Sequence, residues 1–119
     1  MENKHILSSF DDDLKKLNDN LLKLSNGALN NFDSCINNFG TQDIVEIEKV
    51  INGDKILDEL DDKVQKLGFE IIALRAPQAA DLRRVIVALK IATIFERIGD
   101  YSRNISNRTK LLIELNYSD

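Results

Sequence analysis

The sequence has few of the residues that most often carry covalent chemistry or interrupt helices. Its 119 residues include one cysteine, one histidine, one proline, five glycines and no tryptophan. A single cysteine, Cys35, excludes an internal disulfide, which agrees with a reducing compartment. The only histidine, His5, argues against a histidine-rich zinc site and against a Glu-x-x-His di-iron bundle. We therefore interpret Cys35 as a small core residue and His5 as a surface residue.

Long apolar runs are also missing. No window approaches the roughly 18 unbroken apolar residues of a membrane span, and the N-terminus lacks the basic segment and apolar run of a secretory signal. We therefore expect no membrane insertion and a cytoplasmic location. The composition, 43% hydrophobic and 30% charged, is typical of one domain with one core, and we assign residues 1–119 to a single domain.

Charge is distributed unevenly along the chain. The formal net charge is −4, which argues against general nucleic-acid binding. Residues 1–76 carry 9 basic and 15 acidic side chains, whereas residues 77–110 carry 7 basic and 3 acidic ones. An acidic first part beside a basic last helix predicts internal pairing or a polar partner surface, and a solvated helix face is the simpler interpretation of any single charge.

Strand signals are missing as well, since no sustained alternation of apolar and polar residues occurs. We predict three helices over residues 8–38, 41–75 and 77–115. Gly40 is suited to the left-handed C-cap position at the first turn, and Pro77 is suited to the first turn of the third helix. Because the connections are short, the fold class is predicted to be all-α, an antiparallel three-helix bundle.

The apolar stripes indicate how these helices pack. The first helix has an a/d seam from Leu7 to Ala28 and a shifted stripe after Gly27, which we interpret as a local irregularity or a kink. The second helix has one stripe in its later half, and the third has two stripes on opposite sides, so the third needs two partners. The other two helices, a second subunit or a further domain are all open as partners. The shifted stripe consists of Leu29, Phe32, Ile36 and Phe39; the second-helix stripe of Leu57, Leu60, Val64, Leu67, Ile71 and Leu74; and the two third-helix stripes of Leu82, Val85, Ile86 and Leu89, and of Val87, Ile91, Ile94, Ile98 and Ile105.

Two pairs of acidic residues stand out. Glu96 and Asp100 are spaced i, i+4 on the third helix, and Asn104 follows in the same register. Like charges at this spacing repel each other on a helix. Asp54 and Asp58 form a second such pair on the second helix, where we expect them to lie off the core. Counted from the turn near residue 76, the two pairs lie within about 3 Å of the same height.

Four carboxylates at one level predict a metal site at Asp54, Asp58, Glu96 and Asp100. Carboxylate oxygens are hard ligands that suit magnesium, calcium, manganese or iron. The competing interpretation is that these are ordinary exposed acids in salt bridges, with Asp100 pairing with Arg103, for example. The spacing alone favours ordinary salt bridges, and the matched heights strengthen the metal interpretation because they bring together two pairs that would otherwise be unrelated.

A row of cations is the third feature of the last helix. Arg83, Lys90, Arg97 and Arg108 fall along one side of it, near Asn104. Such a row is able to hold phosphate or the acids of a partner, and it is more often solvated or paired within the chain. We take Arg83, Arg97, Asn104 and Arg108 as candidate anion- or partner-binding residues. No nucleotide-binding loop of the Gly-x-x-x-x-Gly-Lys type is present.

Several segments together resemble the PhoU family. The resemblance is carried by Ala73–Arg84 with its Pro-x-x-x-Asp-Leu-Arg motif, by Ala88–Ile91, and by Phe95–Ile105 with its Glu-Arg-Ile-Gly-Asp motif. Val50–Leu60 resembles the family's second-helix pattern, and His5–Asp11 resembles its N-termini. The resemblance implies one three-helix PhoU repeat, although family members usually have two in tandem. The chain departs from the family at residues 28–31, where family members often have an acidic residue.

The resemblance also implies a function. PhoU proteins are cytoplasmic, non-catalytic regulators that repress the phosphate-starvation response by acting between PstB, the ATPase of the phosphate transporter, and the sensor kinase PhoR. Their Glu/Asp-x-x-x-Asp motifs match Asp54, Asp58, Glu96 and Asp100, which would bind iron, manganese, magnesium or zinc. A lone repeat would form a homodimer through a third-helix stripe. The alternatives are a truncated oligomerisation module and a metal-binding bundle without regulatory activity.

Overall fold

Three long helices make up the computed structural model, which describes the backbone of residues 2–117 and the side chains of residues 9–116. Helix α1 spans Glu2–Thr41, α2 spans Ile44–Arg75 and α3 spans Ala79–Tyr117. The short turns make consecutive helices antiparallel, and each helix packs against both others. No strand occurs among residues 2–117, so the predicted all-α three-helix bundle is confirmed.

The first turn differs from the prediction. Gly40 does not take the left-handed C-cap position, because it remains helical and the positive φ of 59° falls on Gln42. Asp43 then caps α2, since its Oδ1 accepts hydrogen bonds from the backbone N–H groups of Val45 (3.0 Å) and Glu46 (3.3 Å). This side chain satisfies donors that a helix start leaves unpaired. As a result, α1 ends and α2 begins three residues later than predicted.

The second turn begins where predicted, since α2 ends at Arg75, and Ala76 adopts a left-handed conformation with φ of 43°. The start of α3 was predicted two residues too early. The backbone N–H of Leu82 donates to the carbonyl of Gln78 (2.8 Å), so the first turn of α3 begins at Ala79 rather than Pro77. Helix α1 is longer than predicted and continues through Gly27.

The core lies along the axis of the bundle. Leu57, Val64 and Ile71 of the predicted α2 stripe are buried, whereas Leu74 of the same stripe is 75% exposed. Cys35 is 1% exposed, which confirms its interpretation as a core residue; the side chains of Leu7 and His5 lie outside the described residues. The central apolar cluster consists of Leu17, Leu24, Ala28, Leu57, Val64, Ile71, Val85, Ala88 and Ala92.

The shifted stripe of α1 marks an exposed surface. Phe32 and Phe39 are 40% and 57% exposed, and the buried positions of α1 continue through Cys35 and Asn38 instead. The second stripe of α3 is likewise uncovered at Val87 and Ile94. The second stripe of α3 is therefore covered only in part, since Val87 and Ile94 are exposed whereas Ile98 packs against the core. None of the helices in the described part of the chain is both long and apolar enough to cross a membrane.

The close approach of α2 and α3 at Gly68 leads to a first prediction. A Cβ added there would overlap the Leu89 side chain, including Cγ at 3.0 Å, whereas one added at Gly40 would meet nothing within 4 Å. We expect Gly68→Ala to lower the free energy of unfolding by about 1–2 kcal/mol, because overpacking outweighs the gain in helix propensity. Gly40→Ala should raise it by up to about 1 kcal/mol. Urea unfolding of both variants tests this, and equal effects would contradict it.

Candidate metal centre

Asp54 is the buried member of the acidic cluster. The residue is only 3% exposed, so the prediction that it lies off the core is wrong. The reason is Gly99 on α3: an added Cβ there would lie 3.3 Å from Asp54 Oδ1 and 2.7 Å from Leu57. The missing side chain lets α3 approach α2 closely, and this brings the Asp54 carboxylate inside the bundle.

Arg103 is the hydrogen-bond donor that holds Asp54. Its guanidinium donates to Asp54 Oδ2 at 2.5 Å and lies 3.6 Å from Asp100 Oδ1. The Asp100–Arg103 pair anticipated as the alternative to a metal is therefore present. Asp54 Oδ1 is buried and finds no donor among the described residues. Burial and the nearby Asp58 charge raise the pKa of Asp54, and Arg103 only partly opposes them.

Three of the four predicted carboxylates meet at one point. One oxygen from each of Asp54, Asp58 and Asp100 lies within 4.8 Å of the others. This is the juxtaposition predicted from the matched heights of the two pairs. The fourth, Glu96, lies beside them in hydrogen-bonding contact with Asp100. Burial, this contact and the charges of Asp100, Asp58 and Asp61 raise the pKa of Glu96 to about 7.

The sequence interpretation missed Asp61 and Gln65 at the edge of the cluster. Gln65 donates to Asp61 (3.3 Å), to the Leu89 carbonyl (3.1 Å) and to Thr93 (3.4 Å), and so joins α2 to α3. Burial raises the pKa of Asp61, and the hydrogen bond from Gln65 opposes this. A helical spacing of i, i+4 and i+7 through residues 54, 58 and 61 was the signal that could have identified Asp61.

These residues fit a hard divalent cation. The donor set consists of carboxylate oxygens, and Asp54 Oδ1 is buried without a donor. An all-oxygen set suits magnesium, manganese and iron better than zinc, which prefers nitrogen and sulfur ligands. Because Arg103 occupies Asp54 Oδ2, an ion in this position competes with a guanidinium for the same carboxylate.

The candidate anion-binding residues do not form one pocket. Arg83 lines an open groove between α1 and α3 together with Asn18 and Leu21, whereas Asn104 and Arg108 line a separate depression. Arg83 and Arg108 are about 37 Å apart along the helix at the standard rise per residue. Arg97 is exposed between them. The structure therefore distributes these cations along α3.

The raised pKa of Glu96 makes a second prediction. Below about pH 4.5 the carboxyl is protonated in both the folded and the unfolded chain, so its raised pKa does not change the free energy of unfolding. As pH rises from about 4.5 to 7, the carboxyl ionises first in the unfolded chain, so the free energy of unfolding falls. Above about pH 7 this loss of stability is constant. We expect Glu96→Gln to raise the metal-free free energy of unfolding by about 1–2 kcal/mol at pH 8, a value discounted for partial exposure.

At pH 4 the same variant should match the unsubstituted chain. Chemical denaturation in the presence of a chelator, measured at both pH values, tests the difference. Glu70→Gln, at an exposed position of α2 away from the cluster, is the matched control and should change little at either pH. An equal gain at both pH values would contradict the electrostatic explanation.

The fold and the site together define a class of protein. It is an all-helical three-helix bundle with a carboxylate cluster between its second and third helices. Residues 21–109, about three-quarters of the chain, match the family model described as the PhoU domain. The chain belongs to the PhoU family.

Several curated relatives are similar to this chain, and each is named a phosphate-specific transport system accessory protein PhoU homolog. The protein of Rhizobium meliloti is 32% identical over 108 residues, which are 91% of this chain and 46% of the relative. That of Xylella fastidiosa strain Temecula1 is 30% identical over 109 residues, 90% of this chain and 44% of the relative. That of Caulobacter vibrioides strain NA1000 is 43% identical over 67 residues, 56% and 29% respectively. The chain therefore spans less than half the length of these relatives.

Proposed function

We propose that this protein is a non-catalytic regulator of phosphate uptake that represses the phosphate-starvation response. Membership of the PhoU family carries the proposal, since the curated relatives are named accessory proteins of phosphate-specific transport. By resemblance to the family, its partners are PstB and a PhoR-type sensor kinase in the cytoplasm, and it associates with a second copy of itself. No nucleophile and base are paired in the cluster as acyl or phosphoryl transfer would require.

The carboxylate cluster is proposed to hold a divalent cation for structure or recognition. Asp54, Asp58 and Asp100 would supply oxygen ligands, and Glu96 would complete the set from the same face of α3. The ion would neutralise the repulsion among these acids and so fix α2 against α3. This use agrees with the buried oxygen of Asp54 that lacks a donor. Iron, manganese and magnesium suit the donors best.

A genetic test separates regulation from the alternatives. Deleting the gene should derepress a phosphate-starvation reporter in phosphate-replete medium, and the 119-residue chain expressed from a plasmid should restore repression. Binding of the purified chain to PstB and to the cytoplasmic part of the kinase provides the matching biochemical measurement. If the deletion leaves both the reporter and phosphate uptake unchanged, the protein is an oligomerisation module or a metal-binding bundle instead.

A further inference from the structure

An apolar face, formed by α1 and α3, is left uncovered by the fold. Leu21 of α1 lines the same groove as Val87 and Ile91 of α3, and at 100° per residue the exposed apolar positions of both helices follow on the solvent side of that groove. Helix α2 lies on the opposite side, where Leu57 contacts Gly27. We call this surface the α1–α3 face; it comprises Leu22, Leu29, Phe32, Ile36 and Phe39 of α1 and Val87, Ile94 and Tyr101 of α3, each between 40% and 62% exposed.

The α1–α3 face has the spacing of a helix-packing seam. Leu22, Leu29 and Ile36 repeat every seven residues on α1, and Val87, Ile94 and Tyr101 do so on α3. A seven-residue apolar repeat keeps one side of a helix facing a partner helix over its whole length. The face extends for about 35 Å at 1.5 Å per residue and is about two helices wide. That size is on the scale of the roughly 800 Å² per partner found in stable complexes.

The two rims of the face carry opposite charges. On the α1 rim, Asp19 and Asp33 are exposed, and on the α3 rim Arg83, Lys90 and Arg97 are exposed. Among the described residues none of these five side chains forms a salt bridge within the chain. The α1 rim also includes Lys15, one turn before Asp19. Apart from that lysine, the face is bordered by acid on one side and by base on the other.

The charges on the two rims are also in register. Cys35 contacts Ser102, so residues of α1 and α3 that differ by 67 in number lie at one height. The residue numbers differ by 64 in the pairs Asp19–Arg83 and Asp33–Arg97. The two residues of each pair therefore differ by about 4.5 Å in height along the helix axes. Long arginine side chains span that offset. Both acids therefore have a basic side chain at matching height across the face.

We propose that a second copy of this chain binds to the α1–α3 face about a two-fold axis parallel to the helices. Rotation about that axis places α1 of each copy against α3 of the other, so both acidic rims meet basic rims at matching heights. A two-fold axis perpendicular to the helices would set α1 against α1 and bring like charges together, which costs stability. The arrangement deepens the self-association proposed above and is independent of transporter or kinase binding.

A hydrophobic variant tests the location of the interface. Sedimentation velocity of the 119-residue chain should show a dimer at micromolar concentration. Ile94→Asp, on the face, should raise the dissociation constant about a hundredfold, as the loss of a central interface contact does. Ile56→Asp is the matched control, since Ile56 is 61% exposed but lies on α2, and it should leave the dimer unchanged. Circular dichroism should show unchanged helicity in both variants.

A charge-reversal cycle tests the orientation. Asp33→Arg and Arg97→Asp should each weaken the dimer about tenfold, and the double variant should restore most of the affinity, because the exchanged charges meet again across the interface. Single variants that tighten the dimer, or a double variant that does not recover, would overturn the parallel two-fold. A chain that remains monomeric at all concentrations would overturn the proposal and assign the face to a different partner bundle. Either result would leave phosphate regulation to be decided by the genetic test.

Discussion

Replacing Asp58 and Asp100 together by asparagine should abolish high-affinity binding of a divalent cation. These residues contribute two of the three carboxylate oxygens that lie within 4.8 Å of one another, and neutral amides are much weaker ligands for hard cations. We expect manganese affinity, measured by isothermal titration calorimetry, to fall at least about a hundredfold, beyond the range seen when only an outer-shell partner is removed. The metal content of the purified protein should fall in parallel.

In the absence of metal, the same double substitution should improve the stability of the protein. Removing two of the clustered negative charges relieves repulsion, so the metal-free variant should be more stable than the unsubstituted chain. In the unsubstituted chain, metal at a hundred times its dissociation constant should add about 2.7 kcal/mol to the free energy of unfolding. The variant should gain almost none of this. Higher stability without metal, together with the loss of the stability that metal adds, is the signature of a metal-binding acidic cluster.

The matched control is the double variant Glu59→Gln with Asp62→Asn. Both residues are exposed on α2 next to the cluster, and their replacement changes the net charge by the same amount. Metal affinity should remain within about threefold of the unsubstituted value, because screened surface charges contribute little. If Asp58→Asn with Asp100→Asn binds manganese as well as this control does, the cluster is not the metal site.

Replacing Arg103 by glutamine should destabilise the metal-free protein strongly. Among the described residues, the guanidinium is the only hydrogen-bond donor to the carboxylate of Asp54, whose side chain is 4% exposed. Removal of one partner from a buried ion pair leaves an uncompensated charge, and we expect a loss of about 2–4 kcal/mol. Because burial already raises the pKa of Asp54, protonation would relieve part of this cost at low pH. The loss should therefore be larger at pH 8 than at pH 5.

The Arg103→Gln variant should also bind metal more tightly. The substitution frees Asp54 Oδ2 and removes a cation that lies 3.6 Å from Asp100, so an ion no longer competes with the guanidinium. We expect roughly a tenfold gain in manganese affinity, on the scale of one removed charge at partial screening. Arg84→Gln, at an exposed α3 position away from the cluster, should change neither property. Weaker metal binding in Arg103→Gln would show that the arginine supports the site rather than competes with it.

The prediction of the fold succeeded where local spacing and composition were sufficient. The missing strand patterns and the apolar stripes predicted three antiparallel helices, and Pro77 correctly marked the end of α2 near residue 75. The positions of the caps were missed. Asp43 provides the cap of α2 through its side chain, which places the turn at residues 42–43 rather than at Gly40. Capping depends on one or two hydrogen bonds, so small competing local interactions shift it by a few residues.

The meeting of the carboxylates, as distinct from metal binding, could likewise be predicted in part from local spacing. Counting residues outward from a known turn fixes the height of Asp54, Asp58 and Asp100 on rigid helices, and these residues do meet. The burial of Asp54 depends on how closely α3 approaches at Gly99, and the role of Arg103 depends on where its flexible side chain lies. Neither follows from the position of a residue along its own helix.

The sequence by itself determined the number and direction of the helices, the level at which the acids gather, and the seven-residue spacing of the apolar positions. These are properties of one helix or of one short turn, so they follow from the local order of residues. The tertiary structure alone decided that Asp54 is buried against Arg103 and that part of one apolar side of α3, at Val87 and Ile94, lies uncovered beside α1. Both depend on the distance and rotation between helices, which side-chain packing sets across segments far apart in the chain.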